Sequence, residues 1–317
     1  MTFNRQFAPK AWRPGLIARA GIVIVLFAIV AKGRITSQQL PIPTYKSSST
    51  LVNVPTTVSS QSGEAVKGLT SRQFRLTDNG VEQSLLVEEA KNVPLSLIVI
   101  MQVGGSAPAS FRDYAALDVM LQTTFGNSIH QIALVMFDSH PEQIWNFPLK
   151  TDFLYFGLTH PDPGDHGAAI LDALDCGVDL FRQTPPSFRP VIVLLSQGED
   201  QGSHANLQKV LKRTIDSGVV VFSLTFPEKR MRAKGSSEEH ENAAEAVAKM
   251  SGGDNFSFTD SSDLAKAISA AKTDAENFYL LSFQPTSQEP GFHSIAARVV
   301  NQRESLRILS RKGYWRP

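Results

Sequence analysis

VIVLLSQGEDQGSHANLQKVLKRTIDSGVVVFSL, residues 191–224, decides the fold. It opens on five consecutive apolar residues and closes on another apolar run at 219–224. Near-continuous apolar runs of this length are strands covered on both faces, as in a parallel sheet. Between them Leu207, Val210, Leu211 and Ile215 recur with helical spacing, and Gly218 supplies the stop. The unit is strand, helix, strand. Upstream, residues 97–101 and 132–137 are two more apolar runs, and Ile170, Leu174 and Val178 form a second helical stripe. Downstream, Leu264, Ile268, Ala271 and Ala275 form a third. Only residues 139–141 separate the run at 132–137 from a short strand expected at 143–147. A parallel crossover needs about a dozen residues, so this strand must run antiparallel. The expected class is α/β: a doubly wound, mostly parallel sheet with one reversed edge strand, over residues 93–276.

On either side the pattern changes to short alternating strands. Phe74 and Leu76 alternate with polar neighbours, and Asn79-Gly80 predicts a hairpin between residues 74–77 and 81–87, because both accept positive φ. Strands return at 278–283, 294–300 and 306–310, before Gly313-Tyr314-Trp315. Forty residues cannot bury a core alone. The segments 50–92 and 277–317 are therefore expected to pair as one small β subdomain.

The first 31 residues have the layout of an export signal. Arg5, Lys10, Arg13 and Arg19 precede an uncharged apolar run from Ala20 to Ala31, too short to span a bilayer comfortably. The expectation is a cleaved signal, with an uncleaved N-terminal anchor as the alternative. Residues 32–49, rich in Ser, Thr, Gln and Pro, read as a linker. Beyond the leader stand 27 basic against 30 acidic residues, a net of −3, which points away from nucleic acid. Hydrophobic residues at 42% are enough for a sizeable core. The lone Cys176 cannot form an internal disulfide and reads as a buried thiol.

Several stretches carry a resemblance: GLTSRQFRLTDNGVEQ (68–83), LLSQGED (194–200), SGGDNFSF (251–258), FYLLSF (278–283) and RKGYW (311–315). In this order and spacing the chain resembles the exported von Willebrand factor A-related proteins known in particular from Acidobacteria, over about residues 50–315. The resemblance implies a metal-ion-dependent adhesion site, formed by D-x-S-x-S after the first central strand, a Thr before the third helix and an Asp after the fourth strand. Here VIMQVGGSA (99–107) puts Gln102 at the Asp, Gly104 at the first Ser and Ser106 at the second. HGAAILDAL (166–174) puts Ala168 at the Thr, and LLSQGED puts Gln197 at the second Asp. Mg²⁺ wants oxygen ligands including a carboxylate, so the site is expected to be degenerate, with no metal and no cofactor. Gln102 and Gln197, at the ends of adjacent strands, have the donors and acceptors to bond to each other in the ion's place.

The loop at residues 160–166 gathers His160, Asp165 and His166, a set suited to Zn²⁺ or Mn²⁺. The plainer reading is a polar turn, since no metal-motif spacing occurs. Glu199-Asp200 reads as a loop turn, Asp172 as a support for the loop below it, and Lys229 to Lys234 as a solvated basic cluster. Gly104-Gly105-Ser106 lacks the nucleophile elbow, and Gly252-Gly253 lacks a phosphate-loop context. No enzyme chemistry is expected. The expected function is an extracytoplasmic protein-binding or adhesion module, periplasmic, secreted or anchored at the cell envelope. Its contacts would involve Gln102, Gly104, Ser106, Ala168, Gln197, His160, Asp165 and His166. The alternatives are an envelope-assembly component acting through the β subdomain, and metal-dependent binding through the 160–166 loop. Partners are another protein or a surface component, not nucleic acid, with a membrane involved only through an uncleaved anchor.

Overall fold

A computed structural model describes residues 51–91, 93–226, 242–300 and 305–317. The expected signal, the linker and the Lys229 to Lys234 cluster lie outside the described residues.

Four strands come first: β1 (Val52–Ser59), β2 (Phe74–Asp78), β3 (Val81–Glu82) and β4 (Leu86–Glu89). The hairpin turn has Asn79 at φ 48° and Gly80 at φ 84°, the left-handed pair that brings Asp78 opposite Val81. The strand read at 81–87 is in fact two. Val81 and Glu82 are both exposed, so period-two burial fails there; the backbone N–H of Gln83 donates to the Leu76 carbonyl, and β4 then leaves for a different sheet.

The middle of the chain alternates. Strand β5 (Leu95–Gln102) is buried along its whole length. It is followed by α1 (Phe111–Tyr114) and α2 (Leu117–Phe125), then β6 (Ile129–Phe137), β7 (Pro141–Trp145), α3 (Thr151–Thr159) and α4 (Ile170–Leu180). Next come β8 (Arg189–Ser196), α5 (Leu207–Asp216), β9 (Val220–Thr225), α6 (Ala243–Ser251), β10 (Asn255–Ser257) and α7 (Ser261–Glu276). The six strands lie in the order β10-β9-β8-β5-β6-β7. All pairs are parallel except β6–β7. Renumbered within the sheet this is the doubly wound order 3-2-1-4-5-6, with the third strand reversed. Alternation along β5 supplies both faces: Leu97, Val99 and Met101 pack toward α1, α2, α3 and α7, while Ile98 and Ile100 pack toward α4, α5 and α6.

After α7 come β11 (Tyr279–Phe283), β12 (Gly291–Val299), β13 (Arg307–Ser310) and β14 (Gly313–Arg316). They interleave with the first four strands. One antiparallel sheet runs β13-β1-β11-β4 and the other β14-β12-β2-β3. A third hydrophobic cluster includes Val54, Phe74, Leu76, Leu281, Phe283 and Ile295 from these sheets, with Ile215 of α5 joining it. Arg307 ties β13 to Asp254 and Asp274 at 2.6 and 2.9 Å. Buried Arg189 of β8 donates to the Asp274 and Ala275 carbonyls under the Phe278 ring. Burial pulls its pKa down to about 9 against the opposing pull of Asp274.

Candidate functional site

Strands β5 and β8 are parallel neighbours with Met101 beside Leu195, so Gln102 and Gln197 emerge side by side at the crest of the sheet. Both side chains are buried, and their amides bond to each other. Gln102 Nε2 donates to Gln197 Oε1 at 3.0 Å and to the Gly104 carbonyl at 3.0 Å. Gln102 Oε1 accepts from the Gln197 backbone N–H at 2.9 Å. Ser106 Oγ adds a hydroxyl-to-amide bond, donating to Gln197 Oε1 at 3.0 Å, and Gln197 Nε2 faces the Glu199 carbonyl. Every polar atom of the two amides therefore has a partner, as a dry crevice requires.

The backbone around this pair leaves no room for the missing hydroxyl. A Cβ on Gly104 would lie 2.5 Å from the Gly167 carbonyl oxygen and 2.6 Å from Asp138 Cβ. A Cβ on Gly105, at φ +57°, would lie 3.0 Å from Gln197 Oε1 and 3.1 Å from Gln102 Nε2. The glutamine amides thus fill the space beneath this turn. Ala168 is buried and exchanges backbone hydrogen bonds with Gln201. A divalent cation does not suit this donor set: the side-chain oxygens at these positions are two neutral amides and one hydroxyl, all already engaged.

The loop at 160–166 is stapled down by its own polar groups. The Gly105 N–H donates to the Asp165 carbonyl and the Gly164 N–H to the Val103 carbonyl. The Asp165 carboxylate accepts from the Ser139 hydroxyl and from the N–H groups of Ser139 and Gly167. Those bonds, the Ser139 hydroxyl first, hold its pKa below the usual carboxylate value. His160 Nδ1 lies 2.7 Å from Thr159 Oγ1, and its ring stacks on Phe156. His166 stands exposed. His160, Asp165 and His166 therefore do not converge as a ligand set among the described residues. The metal-capable group of side chains lies instead at Asp138, His140 and Glu142. There each carboxylate faces a ring nitrogen of His140 at 3.5 Å, and one ligand atom from each residue lies within 4.8 Å of the others, with His140 and Glu142 exposed. Asp138 is buried and accepts from the N–H groups of Asp165 and His140. Sequence reasoning passed it over, although a carboxylate directly after the run at 132–137 was the signal.

The neighbouring loops cap α4 reciprocally. Asp200 accepts from the Leu171 N–H and from the Ser203 hydroxyl, and Ser203 accepts from the Asp172 N–H. Asp172 returns the bond to the His204 and Ala205 N–H groups. Burial raises the Asp172 pKa, but these N–H donors outweigh it and leave it lowered. The positive end of the α4 dipole is consequently already met by protein groups. Cys176 is half-buried on α4, and burial raises its pKa, which keeps it a thiol.

A second feature was not legible at first reading. Helix α3, which leads into the crest loop, buries Leu154 and Leu158 but exposes Phe153, Tyr155 and Phe156 at 54, 52 and 59%. Three large aromatics more than half exposed on one short helix are unusual for a surface with no partner.

The parallel sheet with one reversed edge strand, helices on both faces and loops gathered at the crest defines a von Willebrand factor A-like α/β fold. Solved structures similar to the chain include an aerotolerance-related membrane protein from Bacteroides fragilis, 15% identical, covering 56% of this chain and 98% of that one, TM-score 0.45. Others are the von Willebrand factor domain of the type V pili tip protein Mfa5 from Porphyromonas gingivalis (12% identical, 57% and 94% covered, TM-score 0.43) and a von Willebrand factor type A protein from Catenulispora acidiphila (12% identical, 81% and 72% covered, TM-score 0.46). No family model and no curated protein matches the chain.

Proposed function

We propose that the chain is a non-enzymatic binding protein that acts outside the cytoplasm and holds a protein or surface partner without a metal bridge. The observation that carries this reading is the exposed aromatic face of α3 beside a crest whose polar groups are spent on one another. Gln102, Gly104, Ala168 and Gln197 are interior, so their role is to brace the crest. Contact with a partner then falls to Phe153, Tyr155, Phe156 and His160, with Asp165 and His166 on the adjoining exposed loop. Aromatic side chains supply much of the energy at protein interfaces, and a crest that holds no bridging metal removes the need for a carboxylate in the partner. Among the described residues the crevice side chains Gln102, Ser106 and Gln197 are bonded to one another, which supports a binding role over a catalytic one. Export rests on the basic start and apolar run of the first 31 residues. Among the described residues no helix is long and apolar enough to cross a membrane.

The alternative, envelope assembly through the paired terminal segments, draws on exposed Val81 of β3 and Leu86 of β4, both on edge strands. Glu82, Glu88 and Glu89 stand on the same edges and oppose strand addition, so the α3 surface is favoured. The test is retention of envelope proteins on the immobilised full-length chain in EDTA. The α3 reading expects one retained partner that is lost with Phe153→Ser/Phe156→Ser and kept with Val81→Ser/Leu86→Ser. Release by EDTA, or the reverse mutational pattern, would overturn it.

A further inference from the structure

At the opposite end of the sheet from the crest, a cleft of about 730 Å³ opens between α5, the start of β1 and the β13–β14 turn. That size lies within the range of small-molecule sites. Its apolar lining includes Val52, Ile215 and Val220, and Trp315 forms an aromatic wall. Arg311 lines the same cleft and is held in place by its backbone. The Lys312 N–H donates to the Met250 carbonyl at 3.0 Å, and the chain at Ser310–Arg311 passes so close to Gly252 that a Cβ there would lie 2.6 Å from the Arg311 nitrogen.

The two other cationic side chains lining the cleft are engaged. Lys212 pairs with Asp216 and lies 5.7 Å from the centre of the Trp315 ring. Arg316 donates to the Ser287 carbonyl and to Gln288 Oε1. Arg311 is different. Its Nε is buried with no hydrogen-bond partner, and among the described residues no ion pair holds its guanidinium. Burial pulls its pKa below the usual guanidinium value, with Tyr314 and Asp216 pulling the other way. The side chain is half-buried with its Cζ 6.0 Å from the centre of the Tyr314 ring, and its buried Nε–H leaves a donor for an acceptor that the protein does not supply.

We propose that this cleft is a binding site for an organic carboxylate, its anionic head on Arg311 and its apolar body against Trp315 and the aliphatic floor. A guanidinium offers a planar fork that matches a carboxylate with two parallel bonds. The carboxylate can come from a small acid or from the free C-terminus of a peptide. The site is separate from the α3 surface and the crest, and stands or falls independently of them.

The test is thermal unfolding and tryptophan emission of the full-length chain with three probes: phenylacetate, the tripeptide Gly-Leu-Phe, and inorganic phosphate at matched ionic strength. Phenylacetate is expected to raise Tm and shift emission saturably; the shift is lost in Trp315→Phe. The tripeptide doing so more strongly than phenylacetate assigns the carboxylate to a peptide terminus, and the reverse order assigns it to a small acid. Arg311→Met is expected to weaken binding by at least about tenfold while keeping the Tm without probe, since the substitution keeps the aliphatic stem and removes a buried Nε–H that has no partner. If Arg311→Met fails to fold, Arg311→Lys serves, with binding weakened and fold retained. The proposal is overturned if neither carboxylate moves Tm or emission, if Arg311→Met binds phenylacetate like the wild type, or if phosphate alone reproduces the effect.

Discussion

At Gly104 a single β-carbon separates a crest that can host a serine hydroxyl from one that cannot. Adding it would drive an atom to within 2.6 Å of both the Gly167 carbonyl and Asp138. Gly104→Ser is therefore expected to cost about 1–3 kcal/mol through overpacking, seen as a lower urea midpoint; unchanged stability would mean the 103–106 turn relaxes freely. The identities of Gln102 and Gln197 were legible as departures from a ligand pattern that Ser106 keeps, and so was the possibility that the two amides bond to each other. The closeness of Gly104 to Gly167 was not, because it depends on a loop 60 residues away. Another residue-scale device lies in the paired terminal strands. Buried His293 places Nδ1 2.9 Å from Asp78 and Nε2 2.8 Å from the Glu289 carbonyl, so both ring nitrogens face acceptors. The Glu289 carbonyl first, then Asp78, raise its pKa against the opposing effect of burial. A raised histidine pKa contributes stability that is fully present below the unfolded value of about 6.5 and is lost as pH rises through the folded value. Urea unfolding should therefore show the wild type losing more stability between about pH 6 and about pH 9 than His293→Gln. Equal losses would mean that folding does not raise the imidazole pKa.

Among the elements, those with one clean period were readable and those with two competing demands were not. Helix α5 carries Val210, Leu211 and Ile215 on one face and charge on the other, and the stop at Gly218 has φ 66°. The reversed strand was forced by loop length alone, and β7 pairs antiparallel with β6. Helix α3 was missed because FLYF, residues 153–156, is apolar around the whole turn, so no amphipathic stripe marks it. Those aromatics are surplus to the core. Leu154→Ala or Leu158→Ala should cost about 2–5 kcal/mol. Phe153→Ser with Phe156→Ser should stay within about 0.5 kcal/mol per site. Chemical denaturation of the three variants checks this, and a large loss from the exposed pair would make α3 a structural element and weaken the case for it as a contact surface.

Across the whole described body, the two ends of the sequence are woven together: β1 lies between β11 and β13, and β2 beside β12. Composition and hairpin chemistry showed strands at both ends. Which strand shares a sheet with which follows from long-range packing around Val54, Leu76 and Leu281, beyond what local pattern carries. The links of Arg307 on β13 to Asp274 of α7 and to Asp254 just before β10 then join the terminal sheets to the parallel core in one described body. At this scale the proposal rests on a crest braced by protein amides and holding no cation. The direct measurement is thermal unfolding of the full-length chain with Mg²⁺, Mn²⁺, Ca²⁺ or Zn²⁺, each against EDTA. An ion bound at about 100 times its dissociation constant would add roughly 2.7 kcal/mol, a shift of several degrees. The account predicts no shift with any of the four. A rise in Tm with Mg²⁺ or Mn²⁺ that disappears in Gln102→Ala would contradict it.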